Sequence, residues 1–223
     1  MAAHSGIDSA NYFGQATLSW LMENTNLSWC GYYLAPAPSH HDTSWMGKRS
    51  DLINGGWGLA PVYVGQQLSG PGSHKVTGPQ GALDGAQAAA LMRQEGFAQG
   101  SYVYLDLEDG APFVSPRADY VAQWIKAVAT GGYQCGVYCS HNFAQQVLTA
   151  HPGVRIWAFR VATAATHPFT GLNFPQTDPA GCGCAGAYMW QLEQNCTITL
   201  PMTPQVKLQV DLNTSLAMDP SAP

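Results

Sequence analysis

A chain of 223 residues, 46% of them hydrophobic, can bury a substantial core, which excludes a disordered protein, and α/β barrels run to this length as one domain. Charged residues make up only 10%. The net charge of −5, from 14 acidic against 9 basic residues with no basic run, argues against nucleic acid or an anionic membrane surface as partner.

No window approaches 18 uninterrupted apolar residues, so no membrane insertion is expected. The opening Met-Ala-Ala-His-Ser-Gly-Ile-Asp lacks the basic and apolar regions of a signal peptide and enters structure at once. Ser5 to Ser9 reads as a strand ending on Asp8, and Gln15 to Glu23 as a helix with Leu18, Leu21 and Met22 on one side. Trp29 to Ala35 is a second strand, closed by Pro36 and Pro38. Ser39-His40-His41-Asp42 reads as solvated loop, because adjacent histidines face apart on regular structure. Ser44 to Asn54 is a short helix and Leu59 to Gln67 a third strand. The Gly- and Pro-rich loop from Ser69 to Gly81 can shape a cleft rim, and Asp84 with Gln87 forms a capping box for the next helix. Tyr102 to Asp109 is the fourth strand. The helix opened by Ser115-Pro116 carries Val121, Trp124, Ile125 and Val128 as one apolar stripe. Strand, helix and strand follow at Cys135 to Ser140, Asn142 to Ala150 and Arg155 to Ala162. After a long loop come strands at Ala187 to Gln194 and Lys207 to Asn213. Eight mostly parallel strands with helices after the first five imply an α/β, TIM-like barrel forming one domain over residues 1–223.

In the fourth strand Asp106 and Glu108 share a face, their Cα atoms about 6.5 Å apart. Two adjacent carboxylates push their proton affinities apart, which suits cleavage of a glycosidic bond. A parallel barrel gathers its C-terminal strand ends at one mouth, so Asp8, Asp106, Glu108 and Asp211 should meet there. Tyr33, Tyr63, Tyr138, Trp157 and Gln191 lie near strand ends, where rings and amides could bind sugar. For Tyr33 and Trp157 core packing is the stronger expectation. Gln67 ends the third strand, and Arg160 could pair with a rim acid or a substrate carboxylate. The acids would also suit a Mg²⁺ or Ca²⁺ site for phosphoester chemistry, but no Lys or His accompanies them to hold a phosphate. Of six cysteines, Cys196 is expected to pair with Cys182 or Cys184; zinc held with His141 or His167 is the weaker reading, for want of a second ligand pair.

Gly6-Ile-Asp8, the Asp106-x-Glu108 element, Trp190-Gln191 and Val210-Asp-Leu-Asn213 resemble glycoside hydrolase family 25, lysozyme-type N-acetylmuramidases on a modified (β/α)5β3 barrel. Gly6 to Tyr12 and Pro61 to Gln67 more closely resemble the related glycoside-hydrolase-like domain family. The Gln66-Gln67 end of the third strand and the cysteine-rich loop depart from the muramidase pattern. The resemblance implies Glu108 as general acid, with Asp106, Asp8 and Asp211 completing the acids and one carboxylate steadying the substrate's N-acetyl group. It implies a secreted or extracytoplasmic, monomeric hydrolase of an N-acetylated glycan such as peptidoglycan, working without a cofactor. A barrel that binds glycan without cleaving it is the competing expectation.

Overall fold

The computed structural model describes residues 3–110, 112–161, 167–169 and 171–223, with the backbone alone for 167–169. Nine strands form one sheet: β1 (His4–Asp8), β2 (Leu27–Tyr33), β3 (Gly58–Val64), β4 (Tyr102–Asp106), β5 (Gln134–Ser140), β6 (Arg155–Phe159), β7 (His167–Phe169), β8 (Ala187–Leu200) and β9 (Val206–Ser215). The sheet runs β6-β5-β4-β3-β2-β1-β9-β8-β7, and pairing of β6 with β8 closes eight of the strands into a barrel. β1 to β6 pair in parallel, as do β6 and β8, whereas β9 is antiparallel to both β1 and β8. A mixed barrel follows, because the last two barrel strands form a hairpin in place of a helical crossover.

Helices α1 (Gln15–Asn24), α2 (Arg49–Asn54), α3 (Gly78–Gln94), α4 (Arg117–Thr130) and α5 (His141–Ala150) follow the first five strands. α3 starts earlier than the capping box at Asp84 suggested. Thr77 caps it, and Asp84 lies buried inside the helix, accepting hydrogen bonds from Tyr120 Oη (2.7 Å) and Gln66 Nε2 (3.1 Å). α3 conceals itself in sequence by its glycines, which close approach to α4 requires: a Cβ on Gly81 would lie 2.2 Å from the Tyr120 carbonyl. Of the Ser44 to Asn54 helix, only Arg49–Asn54 is α-helical. β6 ends at Phe159, and Ala162 lies outside the described residues.

Two apolar layers result. Leu208, Val210 and Leu212 of β9 face the outer layer beneath the helices, with Trp124 and Tyr120 of α4. The barrel interior holds Trp29, Ala60, Val62, Val64, Tyr104, Trp157 and Met189. Trp157 meets Trp29, Tyr104 and Tyr138 edge-on, with centroids 5.2–5.9 Å apart. Such filling makes the barrel a packed core with room for chemistry only at its mouth.

Candidate active site

Asp8 and Asp106 are the last residues of β1 and β4, and Asp211 stands opposite Asp8 across the β1–β9 pair. β4 stops at Asp106, so Glu108 sits on the loop beyond it and not within a strand. Asp8 and Asp106 are buried, Asp211 half-buried and Glu108 exposed. A small central cavity of about 40 Å³ is lined by all four acids with Tyr33, Tyr138, Trp157 and Gln191. Two wider cavities adjoin it. One of about 500 Å³ lies against Asn11, Tyr12, Phe13 and β9; the other, about 340 Å³, lies against Ser39, Gln67 and Ser69 to Pro71. Glu108 lines all three.

The acids are unequally supported. Asp8 accepts from Tyr33 Oη on Oδ1 and from Asn213 Nδ2 on Oδ2, both at 2.7 Å. Burial, then the facing Asp211 charge, nevertheless pushes its pKa up to about 8. Asp211 accepts from the Asn195 backbone N–H and from Gln191 Nε2, both at 2.8 Å. Burial raises it only to about 6, because the Asn195 N–H favours its charged form. Asp106 is the least solvated: its Oδ1 is buried with no donor, and burial and the Glu108 charge hold its carboxyl well above the usual range. Burial raises Glu108 too, but a hydrogen bond shared with Asp106 raises Asp106 and lowers Glu108. Asp106 is therefore the donor in that hydrogen bond and Glu108 the acceptor, and both carboxyls hold protons more tightly than ordinary ones do.

Of the residues read as sugar-binding, Gln67, Tyr138, Trp157 and Gln191 reach the mouth and two do not. Gln67 splints β3 to β4: its Nε2 donates to the Asp106 carbonyl (3.0 Å) and its Oε1 accepts the Glu108 N–H (2.9 Å). Tyr138 Oη donates to Gln191 Oε1 (2.6 Å), which in turn holds Asp211. Trp157 floors the central cavity, its Nε1 donating to Asn213 Oδ1 (2.9 Å). Tyr63 points the other way, into the helical layer, with its hydroxyl on Gln87 and its ring beside Trp124. Strand alternation explains this: Val62 and Val64 take the barrel interior and leave Tyr63 outside. Arg160 donates to the Cys182 carbonyl (3.2 Å) and lines none of the three cavities, so it braces the 179–183 turn and pairs with no rim acid.

Tyr33, a sugar-binding candidate for which core packing is the stronger sequence expectation, reaches the mouth to hold Asp8. Two further residues escaped the sequence reading. Asn195 adopts a left-handed φ of 57° where β8 shifts register, and that bulge aims its N–H at Asp211. His40, read as solvated loop, is buried with its ring 5.2 Å from that of Tyr33. Asn213, two residues beyond Asp211 on β9, shares its face by strand alternation and holds Asp8.

The expected disulfide is not formed. Cys182 and Cys184 are both free buried thiols, and Cys182 Sγ instead accepts the Cys184 N–H at 3.4 Å. Cys196 is buried on β8, 12 residues beyond Cys184 in sequence and on the far side of the bulge. Among the described residues no three His, Cys, Asp or Glu side chains form a group able to hold a metal ion. His141 is engaged with the Phe159 carbonyl, and the His167 side chain lies outside the described residues. Among those residues, too, no helix is long and apolar enough to cross a membrane.

Solved structures share this architecture at low identity. The Tat-secreted protein Rv2525c of Mycobacterium tuberculosis, in complex with L-tartrate, superposes with a TM-score of 0.64 at 13% identity over 97% of this chain and 96% of that one. The family GH25 lysozyme of Aspergillus fumigatus gives 0.58 at 9% identity, over 99% of this chain and 100% of that one. The modular Cpl-1 endolysin, complexed with a peptidoglycan analogue, gives 0.56 at 15% identity over 96% of this chain and 54% of that one. At such identities the likeness is one of fold. No curated protein matches the chain. The sequence model of one family does match, across residues 21–203, and the chain belongs to that family, the Rv2525c-like, glycoside hydrolase-like domain.

Proposed function

We propose that the protein hydrolyses a β-linked, N-acetylated glycan, with bacterial peptidoglycan as the polymer and Glu108 as general acid. The observation that carries this reading is the position of Glu108, an exposed carboxyl where a deep acidic cavity meets wider cavities on either side. A polymer could lie across Glu108 with rings on both sides of the bond to be cut. Burial helps Glu108 to keep a proton, and the Asp106 hydroxyl would stabilise the carboxylate left once that proton passes to the leaving oxygen. Asp211, whose charged form accepts from the Asn195 N–H and Gln191 Nε2, would steady positive charge on the sugar or on its N-acetyl group. Tyr33 and Tyr138 stay protonated donors because burial raises both. Lysozyme and endolysin neighbours of the same fold support the substrate class. The Tat-secreted relative supports a site of action outside the cytoplasm, and we propose that the domain works there as a monomer.

Loss of wall turbidity, with product masses and new reducing ends, tests the reading. Release of N-acetylated disaccharide repeats by wild type and none by Glu108→Gln is expected. Wall binding without new reducing ends would make the domain a glycan-binding barrel.

A further inference from the structure

The 500 Å³ cavity is a trough between two walls. One wall is the loop after β1, where Tyr12 and Phe13 are braced edge-on against Trp45 at 5.1 and 5.8 Å. The other is β9, whose alternation sends Leu208 and Val210 into the core and leaves Lys207, Gln209 and Asp211 on the groove side. Lys207 is exposed, and it is the only cationic side chain among the described residues that line the three mouth cavities. Lys48 sits 5.8 Å from the Tyr12 ring but is not part of that lining. The opposite arm has no counterpart, since its Asp109 is paired with Arg117 outside the groove.

Four residues of strand rise put Lys207 about 13 Å from Asp211. The Debye length at physiological ionic strength is about 8 Å, so repulsion from the acid cluster is largely screened at Lys207 while a direct ion pair there is not. An anionic group on the substrate is thus disfavoured beside the acids and accommodated at the far end of this one arm.

Building on the proposed glycan hydrolysis, we infer that Lys207 is a specificity-determining residue that selects glycans bearing a carboxylate, several rings from the bond cleaved, over neutral ones. The groove is therefore polar in direction: the carboxylate-bearing end of the strand lies along β9, and the end beyond Glu108 lies over Ser69 to Pro71.

The test compares three probes: peptide-free muramyl glycan strands, the same strands with stem peptides, and chitin oligomers. Binding is measured in a Glu108→Gln background, which leaves the strand intact, and kcat/KM in the wild-type background. Lys207→Gln, at an exposed position, should weaken both for carboxylate-bearing strands by about 2–5-fold, the range of an exposed ion pair, and leave chitin unchanged. Lys207→Glu should act in the same direction and more strongly, and added salt should erase the difference. Loss on peptide-free strands assigns the sugar's own carboxylate; loss only on peptide-bearing strands assigns the stem. Equal effects on chitin and anionic strands, or none on any, overturn the inference while the hydrolase reading stands. No turnover of any probe by wild type would overturn the hydrolase reading and the inference with it.

Discussion

The two ends of the barrel treat charge in opposite ways. At the N-terminal end of the parallel strands, Arg155 of β6 lies between the rings of Tyr102 and Tyr188, 3.5 and 4.1 Å from their centroids. Its Nη1 donates to the Pro220 and Ala222 carbonyls at 3.1 and 2.6 Å, while Tyr104 Oη donates to Pro220 (2.9 Å) and Ser221 accepts from Tyr102 N (2.8 Å). Charge there is matched by rings and carbonyls, and the segment 216–223 covers that end. At the mouth, four carboxyls crowd a central cavity whose described lining holds no cation. A fold able to cradle a half-buried guanidinium in this way could have satisfied its acids. The unsatisfied end is where perturbed titration is concentrated.

Substitutions can break this contrast, and the largest effect is expected at the mouth. Glu108→Gln keeps shape and removes the transferable proton, so hydrolysis should fall about 10²–10⁴-fold with the circular dichroism spectrum unchanged. Arg155→Met at the covered end should do the reverse. It removes two hydrogen bonds and two cation–π contacts, so chemical denaturation should show a loss of about 2–3 kcal/mol, while kcat of the folded fraction holds.

A smaller effect sharpens the comparison through pH. Asp8 and Asp106 bind protons more tightly folded than unfolded, so the stability they contribute is complete below the ordinary carboxylate range and is lost as pH rises through their folded values. His40 and His151 are lowered by burial and act only as pH falls through about 6.5 and below, so the window from 6.5 to 8.5 isolates the acids. Melting temperature should fall across that window. Asp106→Asn, which keeps a donor toward Glu108 and cannot ionise, should melt about 2–4 °C higher than wild type at pH 8.5 and flatten the slope. Equal slopes in the two proteins would remove Asp106 from the account.

Much of this was legible in the sequence because strand alternation and strand ends carry it. Ile-Asp at the end of β1, Leu-Asp at the end of β4 and Val-Asp-Leu-Asn in β9 each place an acid at the mouth without help from tertiary structure. What stayed hidden depended on contacts between distant segments. Tyr63 and Tyr138 look alike as strand tyrosines, yet one packs under α3 and the other enters the mouth; only the phase of alternation relative to the barrel separates them. α3 was masked by glycines whose use lies in α4. Asn195 works through its backbone at a bulge, for which no side-chain pattern exists. Cys182 and Cys184 looked like halves of a bridge because spacing reports loop length and not the direction in which each thiol faces.

The central claim is that the mouth stores protons which solvated carboxyls would release, and titration of the carboxyl carbons by ¹³C NMR reads it directly. Asp211 should titrate near pH 6 and Asp8 near 8, with Asp106 well above the ordinary carboxylate range and the signals of Asp106 and Glu108 moving together. Four independent midpoints below about 5, the range of ordinary aspartates and glutamates, would contradict it.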